Sequence, residues 1–408
     1  MTETRSAPRP RTLDEATIEE VRKRIGIPVS YSPRNHNEVS STDSFRHFAR
    51  AYGDDNPLYC EPAYAAASSW GSPIAPPLYP FAAGIWRPFE LSDVERSIMK
   101  SGDPLAGIGQ YMCGERWVFP RPIGAGDVLW QSQVLHSADL RPSTFGGGSG
   151  ALLSHRVTWD DDGGAPYAVR YLDFWHADRE KSKEAGKNRG IEKATYTDED
   201  LERFEELYEA ETRRGATPRT IDDVRVGDEL GPMAKGPIGV TDMVNWHAGV
   251  GWGMFGGGTS SLAYKNRKRV PKFYVKNEIG VWDSAQRCHW DDELAQRMGH
   301  PSAYDYGAMR TAWMIHLVTN WMGDDAWLWK ISASVRKFNY HGDAHFLSGV
   351  VREVDADPST ATIDIEGVNQ RGETTCDARM VVILPPAGGG PAQIPDYDPT
   401  QVPEAVIP

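Results

Sequence analysis

The sequence predicts an α+β chain in which one unit, an apolar helix followed by an antiparallel sheet, occurs twice. Its 408 residues, 40% of them hydrophobic, exceed one small domain and suffice for two cores. Strand-like runs cluster behind an apolar stretch in each half. Short residue patterns of the first half recur in the second.

Taken in order, residues 1–41 read as an N-terminal tail and a peripheral helix. The tail is polar up to about Thr12 and lacks the apolar centre of a signal peptide. Leu13, Ile18, Val21 and Ile25 then fall at roughly helical spacing, and Gly26 stops the run. Residues 42–176 form the first unit. Turn chemistry between Thr42 and Trp70 is flanked by short helical segments, and the apolar stretch from Ile74 to Trp86 can begin a buried helix. Strands are expected at Glu115–Phe119, Val128–Leu135, Ala151–Trp159 and Tyr167–Trp175, broken by Gly- and Asp-rich turns. Residues 177–220 read as a linker, with a charged helix at Leu201–Arg214. The second unit, 221–386, has an apolar segment at Gly307–Trp321, long enough for about four helical turns. Its strands are expected at Ile331–Phe338, His345–Val354, Ala361–Asn369 and Asp377–Leu384, and a Pro/Gly-rich tail, 387–408, follows.

The duplication is visible in residues. Tyr59-x-Glu61 followed by Ala65 matches His289-x-Asp291 followed by Ala295, and Gly71-Ser-Pro-Ile-Ala matches Gly299-His-Pro-Ser-Ala. Gly126-Asp127-Val128 matches Gly342-Asp343-Ala344.

A formal net charge of -13 and a pI near 5.4 argue against a nucleic-acid partner, which needs a basic face. Cys60, Cys113, Cys288 and Cys376 are scattered without metal-type spacing, and fit reduced thiols in the cytoplasm. No run approaches the roughly 20 apolar residues of a membrane span. A soluble, cytoplasmic protein is the expectation.

Phe45-Arg-His-Phe-Ala-Arg-Ala-Tyr-Gly-Asp-Asp-Asn-Pro-Leu-Tyr-Cys-Glu-Pro-Ala-Tyr-Ala resembles the hydratase motif of the MaoC-like acyl-CoA hydratases and dehydratases, in which Gly-Asp-x-Asn-Pro-x-His-x-Asp precedes a helix. Ile74-Ala-Pro-Pro, Arg116 and Gly126-Asp127 look like the N-terminal half of fused members. The resemblance spans roughly Thr42–His176 and Val226–Leu384. It implies a double hotdog, each antiparallel sheet wrapped around a central helix, with an acyl-CoA held between the two. It implies no cofactor beyond the CoA of the substrate, and either a homodimer of pseudo-dimers or a hydratase partner subunit. In the family an Asp and a His activate water for addition to a trans-2-enoyl thioester, and a helix N-terminal N–H holds the enolate oxygen, where unpaired donors and the helix dipole favour negative charge.

Carried onto this chain, the first unit keeps Asp54 and Asn56 but has Tyr59 at the histidine position, a phenol and so a poor base at neutral pH. Pro76 and Pro77 stand where the donor is expected, and proline has no N–H. This unit is read as the supporting one, lining the substrate with Asp54, Asn56 and Tyr59. The second unit keeps His289 as base and Gly307 as oxyanion donor. Trp252 stands where the family's Asp would come, about 35 residues intervene, and Ser284 occupies the position five before His289, so Asp283 is the nearest carboxylate. Tyr304, Asp305, Tyr306 and Arg310 line the same region; Asp305 is the best substitute, while Tyr306, Arg310 and Trp252 are candidate substrate contacts. Asp291-Asp292-Glu293 reads as a helix cap. Arg267, Lys268 and Arg269 form a basic run suited to CoA phosphates, and the many tryptophans of the second half suit a bulky acyl group. His289, Asp291, His247 and His341 lack diagnostic metal spacing. Three functions stay open: a hydro-lyase, a catalytically silent acyl-thioester-binding subunit, and a thioesterase on the same fold.

Overall fold

The structure is a computed structural model that describes residues 13–30, 35–143, 148–177, 190–251 and 261–405. Its main sheet has the order β1-β4-β5-β6-β3-β10-β13-β12-β11-β7. The first half supplies β1 (Pro28–Val29), β3 (Gly109–Val118), β4 (Trp130–Ser143), β5 (Gly148–Asp160) and β6 (Pro166–Ala177), with a short β2 (Ile85–Trp86) beside β4. The second supplies β7 (Glu229–Lys235), β10 (Trp327–Val335), β11 (His345–Ala356), β12 (Ser359–Asn369) and β13 (Thr374–Ile383), while β8 (Tyr274–Lys276) and β9 (Trp282–Ser284) pair as a separate hairpin. The order within each half is the same, reflected about one antiparallel seam where Lys330 to Ser334 of β10 pair with Val118 to Gly114 of β3. The expected duplication is therefore a structural one, and the fold is a double hotdog.

Matching residues do matching work. The Asp127 carboxylate accepts from the Gly124 N–H at 2.7 Å, and Asp343 accepts from the Tyr340 N–H at 2.8 Å, so both Gly-Asp pairs close the same turn. Asp291 caps the helix Asp292–Arg297, accepting from the Leu294 N–H at 2.9 Å, as its sequence predicts. The lead-in helices α2 (Thr42–Ala51) and, in the second half, Val240–Val250 pack on each other. Gly249 allows this: a Cβ there would stand 2.3 Å from Ala51 Cβ.

The halves differ at the centre. Gly307–Met322 is a helix, buried at every residue from Ala308 to Asn320, that packs on β7, β10, β11, β12 and β13. The corresponding helix expected to begin in Ile74–Trp86 is absent; only a 3-10 turn, Tyr79–Ala82, forms. Pro76, Pro77 and Pro80 remove the N–H groups a helix would use. Aromatic rings pack there instead: Trp117 stacks on Trp159 and Phe119, and Phe81 meets Trp117 edge-on at 5.4 Å.

Strand β7, which contains Pro232, forms at the outer edge of the sheet, where proline is tolerated. The peripheral helix is Glu15–Arg22, seated by Ile18 and Val21 against Leu135 and Leu153. The linker helix is Asp198–Glu209. The two halves are also joined by buried polar contacts: Glu115 accepts from Arg170 Nε at 2.8 Å and from the Thr311 hydroxyl at 2.6 Å, and the Asp324 carbonyl accepts from Trp70 Nε1 at 2.7 Å. No described helix is long and apolar enough to cross a membrane.

Candidate active site

The Gly307–Met322 helix begins without a side-chain cap at Tyr306, so its first N–H groups have no partner within the helix. Among the described residues no backbone or side-chain acceptor takes the Gly307 N–H. Glycine leaves room here: a Cβ would stand a tight 3.1 Å from both Met112 Sδ and Val335 Cγ2. Met112 belongs to β3 of the other half, so both hotdogs close around this helix start.

His289 ends the short helical turn Ala285–His289 and lies against that start, its ring stacked on Tyr306 with centroids 3.7 Å apart. Its Nδ1 is 2.9 Å from the Tyr304 carbonyl, which can only accept, so Nδ1 carries the proton and Nε2 a lone pair. Desolvation pushes the imidazole pKa down to about 3. The residue nevertheless keeps some accessible surface. The ring is a neutral imidazole, oriented from behind.

A second histidine completes the cluster. His247, on the lead-in helix, has Nε2 2.6 Å from the Tyr306 hydroxyl and its ring edge-on to Trp290 and Tyr306. Burial lowers its pKa. The sequence marks His247 only as a histidine without diagnostic metal spacing; 59 residues separate it from Tyr306, and no local spacing signals the pair. His300 packs against Tyr304 and Phe338 on the far side, and burial pushes its pKa down to about 4.

The two candidate carboxylates go elsewhere. Asp305 is fully buried, accepts from Arg310 Nε at 2.7 Å and forms a two-pronged pair with that guanidinium. Arg310 also donates to the Thr375 carbonyl at 3.0 Å and to Lys337 O, so both residues are committed to the protein interior. Asp283, on a short hairpin strand, accepts from the Ser284 N–H at 2.7 Å and from Arg287 at 3.4 Å. The His289 ring thus donates to the Tyr304 carbonyl and not to either carboxylate. Trp252 lies outside the described residues.

The first-half residues form a separate buried cluster. Asp54 accepts from the Asn56 N–H at 2.9 Å and from the Tyr52 hydroxyl at 3.2 Å, and Asn56 caps the next helical turn through Leu58 N–H. Tyr59 is buried beside them. His316, from the other half's central helix, approaches Asp54 at 3.6 Å. Lys235 Nζ stands 2.8 Å from His316 Nδ1 and donates to it. Burial, Lys235 and Arg213 hold this imidazole neutral, so the contact with Asp54 is no ion pair. Burial raises the Asp54 pKa to about 6, against the pull of the Asn56 N–H, Arg213 and Lys235. Below about pH 4 both states are protonated; between there and pH 6 only the folded chain holds the proton, so stability falls as pH rises through this window. The cost levels off above pH 6 at no more than about 3 kcal/mol. Asp54→Asn is expected to stabilise the chain at pH 8 by up to that amount and to change little at pH 4, measured by urea unfolding at both.

The cations Arg267 and Lys268 end the helix Ser261–Arg269 and face aromatic rings: Arg267 lies 4.9 Å over Trp282 and Lys268 4.5 Å over Tyr264. Arg269 reaches Asn266 at 3.5 Å.

Comparison with known proteins agrees with this architecture. Residues 29–169 match the model of the FAS1-like dehydratase domain region. A UPF0336 protein of Streptomyces avermitilis is 31% identical over 111 residues, which are 26% of this chain and 67% of that protein. A solved MaoC-like dehydratase superposes with a TM-score of 0.59 at 17% identity, covering 88% of this chain and 98% of its own. A MaoC domain protein dehydratase from Chloroflexus aurantiacus J-10-fl gives 0.54 at 10% identity, covering 90% and 96%. These two likenesses show the fold. The match to the dehydratase-region model and the 31% identity over two thirds of the UPF0336 protein, together with the motif, place the chain in the MaoC-like dehydratase and hydratase family.

Proposed function

We propose that the chain is an acyl-CoA hydro-lyase, adding water to a trans-2-enoyl thioester or removing it from the 3-hydroxyacyl product, at one site in the second hotdog. The observation that carries this reading is the juxtaposition of His289, neutral and with Nε2 free to accept a proton, with the uncapped helix start at Gly307. In the hydration direction His289 Nε2 takes a proton from water as the water oxygen bonds to Cβ. Charge moves to the thioester oxygen, where the Gly307 N–H and the helix dipole stabilise it.

The acid that protonates Cα is Tyr306 in this reading. Its hydroxyl is hydrogen-bonded to His247, and a His247 Nε2–H facing it stabilises the tyrosinate left behind. The proton on His289 then returns to Tyr306 by way of solvent, so one water is added and both residues are restored. This pair replaces the carboxylate that Trp252 and Ser284 displace from the motif, in place of Asp283 or Asp305. Arg267, Lys268 and Arg269 hold the CoA phosphates, and the acyl group is a bulky one. The location is the cytoplasm, and the assembly a homodimer.

The test is turnover of enoyl-CoA thioesters from short linear to steroid-sized, following enoyl absorbance and free thiol together. Loss of absorbance without thiol supports hydration; thiol release identifies a thioesterase. Binding with neither signal supports a silent subunit, a reading favoured by the commitment of both carboxylates to other partners. Tyr306→Phe is expected to lower kcat about 10²-fold while leaving KM within a few-fold, the range for one acid–base group. His247→Gln is expected to shift the same steps less. Equal kcat in Tyr306→Phe and the parent would remove Tyr306 from the chemistry.

A further inference from the structure

The segment between the lead-in helix and His289 carries apolar side chains that the proposed CoA contacts leave unused. The helix Ser261–Arg269 buries none of its residues. Leu262 is 59% exposed and Tyr264 48%; on the hairpin that follows, Ile279 is 75%, Val281 54% and Trp282 49% exposed. The hairpin pairs Tyr274–Lys276 with Trp282–Ser284. Its turn is closed by Asn277 N–H to Val281 O at 2.8 Å, Gly280 N–H to Asn277 O at 2.9 Å and Val281 N–H to the Asn277 side chain at 2.9 Å. Ile279 thus stands at the tip of a fastened turn, fully presented to solvent.

Cations surround this hydrocarbon. Lys265, Lys268, Arg269 and Lys276 are exposed. Arg267 lies 4.9 Å over Trp282 and 5.6 Å over Tyr264, and Lys276 lies 5.6 Å over Trp282. These contacts tie helix and hairpin into one patch, basic and aromatic with an aliphatic tip, on a chain whose net charge is -13.

We propose that this patch docks the protein on the surface of an anionic lipid bilayer. Aliphatic side chains enter the boundary between headgroups and acyl chains, aromatic rings rest at headgroup level, and lysine and arginine reach lipid phosphates along their hydrocarbon stems. Charge favours this orientation: a net charge of -13 opposes approach to an anionic surface, and the clustered cations here offset it locally, with Glu278 the one acid at the tip. A CoA phosphate would engage the cations and has no use for Ile279, Val281 or Leu262. Docking also has a consequence for the proposed site, since one strand and one helical turn lead from Trp282 to His289. Bulky acyl thioesters are amphiphiles that collect at bilayers, and the patch would hold the site beside them.

The experiment is co-sedimentation of the full chain with vesicles of phosphatidylcholine alone and of phosphatidylcholine with phosphatidylglycerol. Retention is expected on the second only, and less of it at high salt. The double variant Ile279→Ser, Val281→Ser is expected to weaken retention by about tenfold or more, with turnover of a soluble short enoyl-CoA unchanged. Retention in the presence of excess CoA is expected because Lys265, Lys276 and the tip remain available. No sedimentation with the anionic vesicles overturns the proposal. So does full retention of the double variant, which would reduce the contact to unspecific charge, and so does displacement by CoA. A change in gel-filtration mass that the double variant abolishes, without vesicle binding, would assign the tip to a second copy of the chain.

Discussion

His289→Ala is expected to lower enoyl-CoA hydration by about 10²- to 10⁴-fold, the usual range for removing a positioned general base. The substitution deletes the lone pair at Nε2 and the stacking partner of Tyr306, but leaves the helix start at Gly307 in place. Thioester affinity should therefore change far less than kcat, and single-turnover absorbance traces beside a binding titration will show the split. Because burial holds the imidazole pKa at about 3, the free enzyme's base is already in its working form throughout the neutral range. An acid limb of the kcat/KM profile near pH 6.5 would mean that another group governs the reaction. Undiminished activity in His289→Ala would move the chemistry out of this cluster altogether.

The second large effect is on stability. Arg310→Met is expected to destabilise the chain by about 3–5 kcal/mol, as loss of one partner does in buried ion pairs. Arg310 and Asp305 are both almost completely buried, and the guanidinium satisfies the carboxylate and two carbonyls together. Removing it strands the Asp305 carboxylate, whose pKa burial already raises and Arg310 alone lowers most strongly in return. Since a native chain has only about 5–15 kcal/mol in reserve, poor recovery and an early urea transition are the expected readings. The double variant Asp305→Asn, Arg310→Met should recover part of the loss. A single variant as stable as the parent would show that the pair is solvated.

What the sequence disclosed and what it hid follow physical lines. The Gly307–Met322 helix was legible within one residue because an apolar run of that length has few other places to go. The paired Gly-Asp turns were legible because an aspartate closing a turn acts locally. Strand ends were less so: β4 runs on to Ser143 through Ser137, Asp139 and Arg141, polar residues that pairing with β5 carries into the sheet. The turn at Tyr79–Ala82 was obscured by apolar composition, although Pro76, Pro77 and Pro80 argued against a helix there. Proximity across the chain was the hardest to read. Asp305 looked like a candidate carboxylate until its partner Arg310 appeared five residues on, across the helix start. His247 looked isolated until the fold brought it to Tyr306.

The seam between β3 and β10 has a further consequence. Severed from each other, the halves would each bare a long strand, ten residues in one case and nine in the other, with a row of unanswered peptide groups. The outer rims of the sheet are blunt by contrast: β1 has only two residues, and β7 carries a proline. Fusion in one polypeptide thus turns a sticky margin into an internal joint. Either half made alone should self-associate or aggregate along that margin, and the two made together as separate chains should find one another.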